Sequence, residues 1–140
     1  MDFNAAVIEE FRANGGVVRE HGGFGRMLVL IHSTGARSGA ERVNPALGLR
    51  DGDRWLVAAS AGGAPKDPAW AFNLRAHPQA CIEYAGSDGV EEKAVDAVEL
   101  TGAELDEGWS RFLAQSPAFA DYEKSAQGRR IPVFALTPRA

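Results

Sequence analysis

The sequence predicts an α+β domain, a small antiparallel β-barrel with peripheral helices. Three observations predict it. Five to six short apolar or alternating runs are joined mostly by hairpin-type turns, and the helical patterns gather at the ends with one insertion between strands. No alternating strand–helix rhythm runs along the chain, which disfavours a doubly wound parallel sheet.

In chain order, residues 2–14 place Phe3, Val7, Ile8 and Phe11 at helical spacing, and Gly15-Gly16 ends the run. After the loop Gly22-Gly23-Phe24-Gly25, the run Met27 to Ile31 is apolar on both faces and too short for a typical helix, so it reads as a buried strand. A polar loop over 35–42 leads to a second strand at 43–49. The turn Asp51-Gly52-Asp53 leads to a third, Arg54 to Ser60. Asp67 is placed to cap a short helix with Pro68 at its first position, ending near His77-Pro78. Strands at about 79–84 and 90–99 flank the turn Gly86 to Gly89. Thr101 and Glu104 have capping-box spacing ahead of a helix whose stripe is Leu105, Trp109, Phe112 and Leu113. Pro117 breaks that helix, a short piece carries Phe119 and Tyr122, and Ile131 to Thr137 is a last strand. No repeat, linker or low-complexity tract divides residues 1–140, which read as one domain.

Composition narrows the function. At 140 residues with 45% hydrophobic side chains, the chain can bury a proper core. Its formal net charge of −4 argues against a nucleic-acid partner, so any anion site must be local, built from a few arginines and amides. Cys81 is the single cysteine, and His21, His32 and His77 lack zinc-type spacing; no metal is expected. No run approaches the roughly 20 apolar residues of a spanning helix. A cytoplasmic protein is expected. Peripheral contact at the inner membrane face is left only to the N-terminal helix, against the repulsion of Glu9 and Glu10.

Four segments carry candidate chemistry. The loop Thr34-Gly35-Ala36-Arg37-Ser38-Gly39-Ala40-Glu41-Arg42 combines two turn-forming glycines with hydroxyl and guanidinium donors, the set a phosphate wants. It also reads as a solvated hairpin loop. Gly39 is followed by Ala40, so it is not a nucleoside-triphosphate loop. The segment Val57-Ala58-Ala59-Ser60-Ala61-Gly62-Gly63 loses all bulk as the strand ends, which lets a flat heterocycle approach the backbone, or simply marks a strand running into a turn. Trp70 is placed to cover a ring or sit in the core. Asn73, three residues on, is placed to hold a loop or touch a cofactor. Phe119 and Tyr122 either close a pocket over a planar substrate or seal the core edge, and Tyr122 adds a phenol able to donate a proton.

The order of these pieces is more specific than any one of them. Phe11 to Gly16 is followed by Ser33-Thr34-Gly35, Ser38-Gly39 and Arg42-Val43-Asn44-Pro45. Then come Ala59-Ser60, Gly62-Gly63-Ala64, Pro68-Ala69-Trp70, Asn73-Leu74, Pro78, Tyr122 and Arg130-Ile131-Pro132-Val133. This succession resembles the deazaflavin-dependent nitroreductase family of actinobacteria, whose fold is a split β-barrel.

The resemblance implies an oxidoreductase that takes reduced coenzyme F420, an 8-hydroxy-5-deazaflavin, and passes a hydride to a small organic acceptor: an enone, quinone or nitroaromatic. It implies tail and phosphate contact by Gly35, Arg37, Ser38, Gly39 and Arg42, with Asn44 and Pro45 beside them. Ala59, Ser60, Ala61, Gly62, Gly63 and Ala64 would lie along the ring, with Trp70 and Asn73 close to it. Phe119 and Tyr122 would form the acceptor wall; the proton would come from Tyr122 or from water. The chain departs from the family pattern at Ala36 and Ala61, where basic residues are frequent, and at Phe119, where tyrosine is common in nitroimidazole-reducing relatives. An FMN-dependent reductase on the same barrel, and a carrier of cofactor or lipid-like ligand without turnover, are the alternatives.

Overall fold

The structure is a computed structural model that describes residues 2–126 and 129–139. Its strands are β1 (Leu28–Thr34), β2 (Glu41–Asp51), β3 (Arg54–Ala58), β4 (Gln79–Gly86), β5 (Gly89–Glu99) and β6 (Val133–Pro138). They close into an antiparallel barrel in the order β1-β2-β3-β6-β5-β4. The seam between the first and fourth strands pairs Ile31 with Ile82 and His32 with Cys81. Helices α1 (Phe3–Ala13), α2 (Ala69–Ala76), α3 (Gly102–Gln115) and α4 (Ala118–Ser125) surround it, and a 3-10 turn spans Ala61–Gly63. The expected α+β barrel with peripheral helices is what forms, with six strands among the described residues.

Alternation along each strand explains the layers, because successive side chains point to opposite faces. Val29, Ile31, Val57, Ile82, Val95, Phe134 and Leu136 form the inner cluster, joined by Trp70, Ala71 and Leu74 of α2. Residues of opposite parity, Leu56, Ala58, Val133 and Ala135, pack outward against Trp109 and Phe112 of α3 and Phe119 of α4. Leu28 and Leu30 pack outward against Val7 and Phe11 of α1. Burial on both faces is why Leu28 to Ile31 is continuously apolar. It also means that Val7 and Phe11, half of the stripe left open for membrane contact, are spent on the barrel, while Phe3 stays exposed. Among the described residues no helix is long and apolar enough to cross a membrane.

Two expected caps are not formed. Pro68 itself takes the cap position of α2, and Asp67 instead accepts from Arg75 and Arg129. A guanidinium pair outcompetes a single amide for that carboxylate. Thr101 caps α3 without a side-chain bond, because Gly102 turns at φ +57 and takes the hydroxyl out of capping register.

Candidate active site

The loop between β1 and β2 is shaped by its own hydrogen bonds. The Gly35 N–H donates to the Ala40 carbonyl (2.7 Å), the Gly39 N–H to the Gly35 carbonyl (2.9 Å) and the Ala40 N–H to Ser38 Oγ (3.1 Å). A Cβ on Gly35 would stand 2.6 Å from Ser38 Oγ, so the turn closes only around glycine. This corrects one expectation: the amides of Gly35 and Gly39 are not offered to a ligand. The N–H groups of Arg37 and Ser38 are the ones with no partner among the described residues.

Asn73 fixes the loop to α2. Its Oδ1 accepts from the Ala36 N–H (2.9 Å) and its Nδ2 donates to Ser33 Oγ (3.2 Å), with the side chain 6% exposed. Of the two roles left open for Asn73, the structure gives it that of loop anchor.

Between this loop, the start of β2 and α2 lies an open cleft of about 940 Å³. Gly35, Arg37, Ser38, Arg42 and Asn44 line one side; Ala69, Phe72, Asn73, Arg75 and Ala76 line the other. Arg37 and Arg42 are exposed and make no ion pair or hydrogen bond among the described residues. Arg75 is the opposite case. It donates to both oxygens of Glu99 (2.8 Å each) and to Asp67 (3.0 Å), and those bonds, Glu99 first, raise its proton affinity above the ordinary arginine range.

The sequence reading missed the helical wall of this cleft. Residues 69, 72, 73 and 76 share one face of α2 at i, i+3, i+4 and i+7, and that spacing was the available signal. Trp70, expected near the ring with Asn73, packs into the inner cluster instead. It is 6% exposed inside the barrel, with its ring 5.9 Å from that of Phe134, and does not line the cleft.

The remaining expected site residues, Gly39 and Pro45 among them, lie outside the cleft lining. Ala59 is fully buried, and the 3-10 turn of Ala61, Gly62 and Gly63 leads to Ala64. Gly63, at φ +87, lies against α4: a Cβ there would stand 2.9 Å from the Tyr122 Cα. Phe119, 7% exposed, is locked edge-on between Trp109, Phe112 and Tyr122, with centroids at 5.9, 5.3 and 5.5 Å. Phe119 therefore seals the core edge, and Tyr122 is half-buried beside the turn. The single surface expected from sequence is two adjacent ones. They are joined through Asp67, which bonds Arg75 of the cleft wall on one oxygen and Arg129 on the other.

The scattered histidines are not all isolated either. His32 Nε2 lies 2.5 Å from Glu83, and donor atoms of His32, Glu83 and Glu92 all lie within 4.8 Å of one another. Arg12 of α1 takes both Glu83 oxygens, at 3.2 and 2.7 Å. Burial pushes the Glu83 carboxyl up, but the bonds from Arg12 and His32 outweigh it and hold the group below its usual range. The pair of Arg12 with the buried Glu83 pins α1 to the barrel wall.

The donor set of the cleft fits a phosphorylated cofactor. Two uncommitted guanidiniums and a hydroxyl line one volume, and Gly35, Ala36, Ala69 and Ala76 keep it open. Fold and cleft thus define a class, a small antiparallel barrel with a donor-lined cleft that fits a phosphate-bearing ligand. Comparison with known proteins narrows it. The family model described as F420H(2)-dependent quinone reductase matches residues 5–138. The chain is 35% identical over 114 residues to the F420H(2)-dependent quinone reductase Rv1261c of Mycobacterium tuberculosis, covering 79% of this chain and 73% of that one. It is 34% identical to the solved structure of F420-H2 Dependent Reductase (FDR-A), covering 79% and 94% of the two chains with a TM-score of 0.68. A solved structure described as a domain-swapped dimer is 35% identical, at 79% and 80% coverage and TM-score 0.68. The chain belongs to the F420H(2)-dependent quinone reductase family. It is an oxidoreductase whose cofactor is coenzyme F420 and whose acceptor is a small organic molecule.

Proposed function

We propose that this chain reduces a quinone-type acceptor, seating the phosphate-bearing tail of reduced F420 between Arg37, Ser38 and Arg42 and its ring toward Ser60. The observation that carries this is the pair of unpaired arginines on one cleft, in a molecule whose other cleft arginine is fully engaged. When bound, the reduced deazaflavin supplies the hydride. The protein's part is positional. Arg37 and Arg42 neutralise the tail, Ser38 donates its hydroxyl, and Asn73 keeps the loop closed around them. Asn44 lines the same volume. Tyr122, steadied edge-on by Phe119, donates a proton to the acceptor's oxygen from the far side of the Ala61–Gly63 turn. A quinone suits this arrangement, because its reduction to the hydroquinone needs only one hydride and one proton.

Fluorescence titration of the purified protein with F420 and with FMN tests the seat. Arg37→Ala and Arg42→Ala are each expected to weaken F420 binding about fivefold, since an exposed charge contact is worth about 1 kcal/mol. In steady-state assays with a water-soluble quinone, Tyr122→Phe lowers kcat while F420 affinity stays as in the wild type. Unchanged affinity in both arginine variants, or tight FMN binding with none for F420, would overturn the reading.

A further inference from the structure

Arg129 makes four described side-chain hydrogen bonds, all of them to the segment 59–67. Its guanidinium donates to the carbonyls of Ala64 (Nε, 3.0 Å), Ala59 (Nη1, 3.2 Å) and Ser60 (Nη2, 2.9 Å), and to Asp67 (Nη1, 2.5 Å). The side chain is 13% exposed. One planar fork therefore gathers both ends of the segment 59–64 and is neutralised by Asp67.

Two further observations say what this clamp achieves. Ala61 sits at φ +49, the one non-glycine residue with positive φ among those described, a conformation that persists only where the surroundings impose it. In a trans peptide, moreover, the N–H points opposite to the C=O of the preceding residue. With the Ala59 and Ser60 carbonyls drawn to Arg129, the N–H groups of Ser60 and Ala61 face away from it. Neither has a partner among the described residues, whereas the neighbouring Ala59, Gly63 and Ala64 N–H groups are all bonded. An exposed strand end with two adjacent free donors, on a backbone without bulky side chains, is an acceptor-reading edge.

We infer that Arg129 is a positioning residue: it holds the 59–64 segment in the one conformation that presents the Ser60 and Ala61 N–H groups to a carbonyl oxygen of the cofactor ring. This rests on the proposed seat of F420, and it divides the labour of binding. Arg37 and Arg42 read the tail, and Arg129 prepares the edge that reads the head. A lysine does not replace it, because one ammonium can pair Asp67 but cannot span three carbonyls.

The test uses two ligands, F420 and the deazaflavin chromophore that lacks the phosphate tail. Arg129→Lys and Arg129→Ala are expected to weaken both ligands alike, about tenfold, as for loss of an ordered donor pair. Arg37→Ala weakens F420 and leaves the chromophore unchanged. Methylguanidinium added to Arg129→Ala restores chromophore affinity, a rescue that a generally loosened fold would not show. Amide exchange on the ligand-free protein reads the clamp by itself: in Arg129→Lys the Gly63 and Ala64 amides lose protection at least tenfold, while those of β1 keep theirs. Wild-type affinity for the chromophore in both Arg129 variants, or unaltered exchange at Gly63 and Ala64, overturns the inference. If the wild type binds neither ligand, the seat of F420 fails first, and the exchange result still decides whether Arg129 holds the segment.

Discussion

Two glycine-rich loops of this protein gather hydrogen-bond donors, and they are put to opposite use. Around residues 19–21, the N–H groups of Arg19, Glu20 and His21 converge at 2.7, 3.1 and 3.1 Å on the Glu10 carboxylate, which also lies 2.7 Å from His21 Nδ1. That loop is an anion nest already filled by the chain's own side chain. Around residues 35–42 the backbone spends the amides of Gly35, Gly39 and Ala40 on closing the turn, and it leaves Arg37, Ser38 and Arg42 uncommitted on a cleft. Glycine content therefore does not distinguish a structural loop from a binding loop. What distinguishes them is whether any donor is left over once the fold has been satisfied.

The filled nest should give the largest effect on folding when it is emptied. The Arg19 and Glu20 amides, aided by His21, pull the Glu10 carboxyl down from 4.5 to about 2. A carboxyl whose native pKa is depressed contributes stability that is complete above the unfolded value and is lost as pH falls toward the native one. Glu10→Gln is therefore expected to be less stable than the wild type at pH 7. The gap should hold down to about pH 4.5 and close as the pH approaches 2. Urea unfolding across that range checks it, and a gap that is constant with pH would remove the charge from the explanation.

A middle-sized effect belongs to Gly35→Ala. Its Cβ forces Ser38 Oγ off the Ala40 N–H and presses on the Ala40 carbonyl at 3.2 Å. The cost is one local bond and some strain, about 1 kcal/mol. F420 affinity should fall with it, because the turn that aims Arg37 and Ser38 is opened. Gly23→Ala is the control in the other loop: φ is +64 and nothing lies within 4 Å of the added methyl, so it meets backbone strain without a clash and leaves F420 affinity unchanged. Denaturation and cofactor titration of the two variants, run side by side, separate loop strain from loop function.

The barrel was legible in the sequence because strand alternation and turn chemistry are local signals. Leu28 to Ile31 marks a strand buried on both faces, and Asp51-Gly52-Asp53 marks the hairpin between β2 and β3. Local signals also misled. Asp67 and Thr101 had cap spacing, but a carboxylate goes to the strongest donors in reach, and only the fold brings Arg129 to within 2.5 Å of Asp67 across 62 residues. Half of the candidate site was readable for the same reason: Arg37, Ser38 and Arg42 are close in sequence and meet on one loop. The opposite face taken by Trp70 and the wall formed by Phe72 and Arg75 depend on how α2 is rotated against the barrel, and the bonds of Arg129 join segments some 60 residues apart; no short window encodes either.

The smallest expected change in stability is also the sharpest test of the contrast between the loops. If Arg37 and Arg42 are held in reserve for a ligand, the fold owes them nothing. Each is exposed, neither pairs with a carboxylate among the described residues, and both carry the same charge on one cleft. Arg37→Ala, Arg42→Ala and the double variant should therefore unfold within about 0.5 kcal/mol of the wild type, as surface changes away from any buried network do. The double variant should sit at the stable end of that range, because removing two like charges relieves their repulsion. In the presence of saturating F420 the ranking reverses: the wild type gains stability by mass action, and the variants gain less in proportion to their weaker binding. Thermal melts with and without F420 measure both terms on one sample. A double variant destabilised by about 2 kcal/mol or more without ligand would make these arginines part of the scaffold, and the two loops would no longer differ in kind.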